Sequence, residues 1–311
     1  MNDLFGNKYL ETKTSKYPVS LLKSAIQKNV RRGRVKEAVK CTKSALESDL
    51  HNTLRRLPVI VLEDALLHPE MDFLVHMIKN SSNNDYQLTE KHAQKICEII
   101  AQSAATNKRD EFLFVNQDAQ EADNWHTYEE GMDHKEKSLV KSLAYRGSIG
   151  GLQFDVRLFK EMANAWAMRF ASAKWDIEKV KSFFPEVIDF EYTELGYAQR
   201  EDIPIEAVDF HCSPLVHILL RKDYVIEKLN EHYPEWGNKD ALTKVIWTMR
   251  AGVNTKTQIH LEEPVDWMDC KYKEDPCGDE HRHKLEDIMQ TVKEEADSIA
   301  NWFLDKKEEE N

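Results

Sequence analysis

The densest group of side chains able to do chemistry is Asp209-Phe-His211-Cys212, set just ahead of Ser213-Pro214, with Glu206 upstream and His217 downstream. A carboxylate two residues from an imidazole at a helix start can activate water or orient a base. The helix end favours negative charge, and a neighbouring charge tunes the histidine. In that arrangement Asp209 is the activating carboxylate, His211 its proton-transfer partner and Glu206 a flanking acid. The plainer alternative is that Asp209 or Ser213 caps the helix while His211 is a hydrogen-bonded packing residue. His211, Cys212 and His217 are also ligand types, but their compressed spacing fits no common zinc site.

A second group, Cys270-x6-Cys277-x3-His281-x-His283, has the ligand types of a small structural zinc clip that would join a C-terminal helix to the body. The competing reading is an ordinary charged surface loop. A third is the glycine run Gly147-Ser-Ile-Gly150-Gly151, which follows Arg146 and opens toward a helix near Asp155. Backbone amides there can approach a phosphate, with Arg146 beside them, or the run is simply a turn between two helices. Arg250 and Lys256 flank Gly252 and become phosphate or transition-state clamps if they converge with Asp209.

The broadest candidate is a basic face: Lys23, Lys28, Arg31, Arg32, Arg34 and Lys36, joined by Arg55 and Arg56. Such side chains neutralise a phosphate backbone without reading bases, and binding through them is strongly salt-dependent. Residues 1–60 carry 13 Lys and Arg against 5 Asp and Glu, a net +8, which leaves −20 for the rest of a chain whose formal charge is −12. The asymmetry fits a nucleic-acid contact equally with basic helices docked on an acidic body.

Helices must position all of these. Val19, Leu22, Ala25, Ile26 and Val30 recur at three- and four-residue spacing and predict a helix ending at Gly33; a second runs from about 34 to 48, and a third from about 52 to 67, which Pro58 kinks or restarts. Further helices are expected at 71–78, at 89–105 with Thr89 as N-cap, and at 135–145, 155–173, 175–184, 214–233, 240–251 and 283–306. The stretch 186–205 reads as loop with a short strand. The expected fold is all-α, two packed helical domains: a collar-like bundle over 1–108, a larger helical domain over 109–269, then a loop and docking helix over 270–311. The tryptophans are expected in the core, since Trp166, Trp247 and Trp302 fall within apolar periodic stretches.

The low Gly and Pro content and 32% charged residues suit a folded helical protein. No apolar run is long enough to span a bilayer and the N-terminus lacks the apolar core of a signal peptide, so no membrane partner is expected and the location is intracellular, cytoplasmic or nuclear, including a virus-encoded protein. Five thinly spread cysteines fit free thiols in a reducing compartment. There is no G-x-x-x-x-G-K-[ST] run, which excludes a P-loop ATPase mechanism and leaves no ATP site of that kind.

The run from Leu21 to Val39, followed by Leu54-Arg-Arg-Leu-Pro-Val-Ile-Val-Leu-Glu-Asp64, resembles the helical C-terminal domain of clamp-loader-related AAA+ ATPases of the MgsA/RarA type. In that family similar helices form part of a collar and oligomerisation region, so the resemblance implies an association with replication or repair through self-association or an AAA+ partner. The second half, through Arg146-Gly, Gly150-Gly151, Trp166, Ile205 to Ser213 and Ile246-Trp-Thr-Met-Arg250, is similar to helical domains named after α-glutamyl/putrescinyl thymine pyrophosphorylase, associated with hypermodified thymine in phage DNA. The hairpin pattern L-P-G-V-G of related glycosylases is missing. Together these lead to the expectation of a DNA-associated factor in replication, repair or thymine modification, with a non-catalytic adaptor subunit of a larger assembly as the alternative.

Overall fold

A computed structural model describes residues 7–83, 85–110, 124–172, 174–186, 190–208, 213–234, 238–251, 254–259 and 282–309. The chain is all-α: among the described residues the only strands are β1 (Lys108–Arg109) and β2 (Thr257–Gln258), a two-residue parallel pair. No helix among them is long and apolar enough to cross a membrane.

The first helices form where the apolar spacing places them. In α1 (Val19–Arg31) Leu21, Leu22, Ala25, Ile26 and Val30 are buried, and Gly33, at φ +69°, ends the turn in a conformation that disfavours a side chain. The second helix, α2 (Val35–Ser48), packs on it. The third, α3 (Leu50–Asp64), starts at Asp49, whose carboxylate accepts from the Asn52 amide, and runs through Pro58 without restarting. The missing N–H of Pro58 removes one helical hydrogen bond, but burial of Leu54, Leu57, Val59, Ile60 and Val61 around it holds the helix together.

Two more helices, α4 (Met71–Ser81) and α5 (Glu90–Ala105), complete this layer, and Thr89 caps α5 by accepting from the His92 amide. A capping box between Asp133 and Glu136 opens α6 (His134–Ser148). Gly150 and Gly151, at φ +75° and +142°, then turn the chain into α7 (Gln153–Ala171), and the two form a helical hairpin. The expected 175–184 helix shrinks to α8 (Ile177–Lys181). Over 190–208 the chain has three 3₁₀ turns in place of the expected strand.

The expected 214–233 helix is two, α9 (Ser213–Leu219) and α10 (Asp223–His232), followed by α11 (Asn238–Ala251) and α12 (Arg282–Glu309). One hydrophobic core gathers residues from Tyr17 to Val208 together with Ala300 and Leu304, and includes Trp166, Phe159 and Phe170. It crosses the boundary that composition suggests near 108: the Asp110 amide donates to the Ala65 carbonyl, and its carboxylate accepts two bonds from Arg169 at 2.7 and 2.8 Å. A smaller core gathers α9, α10, α11 and the first part of α12. Of the three tryptophans expected inside, Trp166 is fully buried, Trp302 is exposed, and the side chain of Trp247 lies outside the described residues.

Candidate functional site

The basic face of the first helices is largely covered. The Arg31 Nε donates to Asp64 at the end of α3, a carboxylate only 1% exposed. Arg32 reaches Glu206 at 2.8 Å, and Arg34 reaches Glu37 at 3.3 Å and the Glu201 carbonyl at 3.1 Å. Lys40 pairs with Asp202, and the Lys43 ammonium donates to the carbonyls of Tyr192 and Leu195. Lys28 is buried in α1, while Lys23 is half-buried and its pKa is lowered by that burial. The segment 190–208 thus lies across α1 and α2 and supplies the counter-charges of Arg32 and Lys40, while α3 supplies that of Arg31.

The Gly150–Gly151 turn is built differently. Arg55 on α3 donates to the Gly150 carbonyl at 2.9 Å, and Arg146 on α6 donates to the same oxygen at 3.1 Å and to the Arg55 carbonyl at 3.0 Å. Among the described residues neither guanidinium has a carboxylate within ion-pair distance, and the Nε of Arg146, a residue 1% exposed, has no hydrogen-bond partner among them. Its pKa falls to about 10, first through burial and then through Arg55 and Arg56, with Asp155 opposing. Arg56 is shared among Gln27 (2.9 Å), Glu63 (3.4 Å) and Asp155 (3.6 Å), and burial pushes the Glu63 carboxyl up.

Three arginines from two helices therefore meet at the start of α7. A Cβ added to Gly151 would lie in ordinary contact, 3.6 Å from the Arg55 Nη2, 3.8 Å from the Asp155 Oδ2 and 3.9 Å from the Arg146 Nη1, so the glycine is required by its φ of +142° and not by space. The N-cap residue is Leu152, whose side chain makes no cap, and the first amides of α7 face this exposed turn. Guanidiniums without a carboxylate partner among the described residues and the positive end of a helix dipole together favour an anion.

The remaining candidates are placed elsewhere. Lys256 sits away from any surface: it is 3% exposed, and its ammonium donates to the carbonyls of Ser103, Ala104 and Thr106 at 2.6 to 2.9 Å, closing the C-terminus of α5. Burial lowers its pKa to about 7 against the opposing pull of Asp64. With all three N–H groups engaged, it acts as an internal cap and is not free to clamp a phosphate. Glu206 is the counter-ion of Arg32. Asp209 and His211 lie outside the described residues, as do Cys270, Cys277 and His281; Arg250 and His283 are on α11 and α12, with their side chains outside them. Among the described residues no group of His, Cys, Asp or Glu is arranged to hold a metal. The described cysteines, Cys41 and Cys97, are buried free thiols whose pKa is raised by that burial.

Comparison with family models, curated proteins and solved structures finds no match to this chain. Sequence reasoning named Arg55, Arg56 and Arg146 but did not join the first two to the glycine turn, which lies about 95 residues further on. It passed over Tyr145, Leu152 and Phe154, exposed on both sides of the same turn; the Leu-Gln-Phe run directly after Gly-Gly was the available signal.

Proposed function

We propose that this chain is a DNA-associated factor of replication, repair or thymine-base modification, and that its phosphate contact is the turn formed by Arg55, Arg56, Arg146 and Gly151. The observation that carries this reading is the pair of guanidiniums, Arg55 and Arg146, that have carbonyl but no carboxylate partners among the described residues, beside a helix start whose N-cap side chain makes no cap bond. The resemblance of the Leu54-Arg-Arg-Leu57 stretch to clamp-loader-related collars supports the same class. The cations of α1 and α2 contribute less, because each phosphate would have to displace an internal carboxylate.

Fluorescence anisotropy of a labelled duplex across a salt series tests this. Tight binding is expected at low salt, with a slope of log K against log salt that loses about one unit in Arg55→Gln. Absence of binding at low salt, or an unchanged slope in the variant, overturns it. The adaptor alternative draws support from Met168 and Trp302, large apolar side chains exposed on α7 and α12. It predicts concentration-dependent assembly in sedimentation, abolished by Met168→Asp or Trp302→Asp and indifferent to DNA.

A further inference from the structure

Independently of the phosphate reading, we infer that the outer face of α12 is a docking surface for a Lys- or Arg-rich segment of a partner protein, anchored on the Trp302 indole. The described tryptophans Trp125, Trp166 and Trp175 are buried, whereas Trp302 is 62% exposed. Glu294, Ser298, Trp302, Asp305 and Glu309 follow one another at three- and four-residue spacing, so they line one stripe of the helix, and all five are exposed. The buried side of α12, Ala296, Ala300 and Leu304, lies in the two cores and fixes which way this stripe points. A large indole left in water at the centre of an ordered helix is surface that an interface would cover.

The chemistry of the occupant follows from what the stripe already attracts. The Lys306 ammonium stands over the indole, 5.4 Å from the ring centroid, and the Arg200 guanidinium reaches Asp305 at 3.5 Å and the Asn301 side-chain oxygen at 2.6 Å. An indole face and a carboxylate both favour cations. With Arg200 beside it, the Asp305 side chain is still 66% exposed and accessible to a second cation. A nucleic acid or an anionic membrane is repelled by Glu294, Asp305 and Glu309. A second copy of this chain would bring Arg31, Arg32 and Lys40 already paired with Asp64, Glu206 and Asp202. A basic segment carrying an apolar residue satisfies the carboxylates and covers the ring together.

Anisotropy of two labelled peptides of equal length, one alternating Arg and Leu and the other Gln and Leu, separates the outcomes. The Arg–Leu peptide is expected to bind about tenfold more tightly than its uncharged counterpart. A formal charge of −12 attracts any cationic peptide, so the deciding variant is Trp302→Ala, which leaves the charge unchanged and should weaken Arg–Leu binding about tenfold. Trp302→Phe should recover part of that loss, and Glu294→Gln with Asp305→Asn should weaken binding mainly at low salt. Trp302 belongs to neither core, so the melting temperature of Trp302→Ala and its binding to duplex DNA should match the wild type. Equal affinity of wild type and Trp302→Ala for the Arg–Leu peptide, equal affinity of the wild type for both peptides, or binding to neither overturns the inference. Self-association that is lost in Trp302→Ala, with no peptide bound, gives the face to a second copy and overturns it as well.

Discussion

The α1–α2 face and the Gly150–Gly151 turn carry the same kind of side chain and differ in what stands opposite. On the first, Arg31, Arg32 and Lys40 meet Asp64, Glu206 and Asp202. At the second, Arg55 and Arg146 both meet the Gly150 carbonyl oxygen, and Arg146 also meets the carbonyl of Arg55 on α3. A run of positive charge in a sequence therefore reports a supply of cations, whereas the exposed field depends on counter-charges brought in from elsewhere in the fold. The comparison also separates two kinds of cost. Breaking a buried pair leaves a charge uncompensated, while removing an unmatched cation relieves repulsion and sacrifices only what that cation binds.

The largest effect expected from this difference is on stability. Asp64→Ala removes the buried carboxylate that Arg31 pairs with and should lower the unfolding free energy by about 3 kcal/mol, read from urea midpoints. An unchanged midpoint would mean that the first face is held by packing and not by its ion pairs. Second in size is the pH dependence set by Lys256. Its native pKa, about 7, lies below its ordinary value of 10.5, so between those values the unfolded chain holds a proton that the native protein does not. Stability from this group should rise as pH climbs from about 7 toward 10, and the rise should flatten in Lys256→Met; parallel slopes for the two proteins would refute it. Gly151→Ala should cost about 1 kcal/mol through the strain of φ +142°, while its Cβ meets Arg55 only at van der Waals contact and should leave the proposed DNA binding within about twofold, checked by melting and anisotropy together. The smallest effect belongs to Arg34→Gln, which should change stability by less than about 0.5 kcal/mol and leave the salt slope of DNA binding intact, since its Glu37 partner is a half-exposed neighbour on the same helix.

Much of the fold is written locally. The apolar spacing of α1, the Thr89 cap and the Gly33 stop each act within a few residues, and each appears where it was expected. Pro58 is the instructive exception, because burial on every side outweighs the loss of one amide. The 190–208 segment had no period to read: its order comes from side chains such as Lys43 and Gln94, which bond its backbone from α2 and α5. The candidate site was half legible. Arg146 and the glycines are neighbours in sequence, but Arg55 joins them only through packing of α3 on the hairpin, and the acids that neutralise Arg32 and Lys40 lie about 170 residues away.

The 28-residue α12 gives Ile288, Val292 and Ala296 to the smaller core and Ala300 and Leu304 to the larger, and its Glu308 accepts from Lys16 and the Tyr17 hydroxyl. At about 1.5 Å per residue it acts as a rigid axle through both. Melting either end requires disengaging a rod the other still grips, so the two cores are expected to unfold in one cooperative transition. DNA bound at the α6–α7 turn would then raise the melting temperature of helices it never touches, and a cut between Ala296 and Ala300 would split that single transition into two.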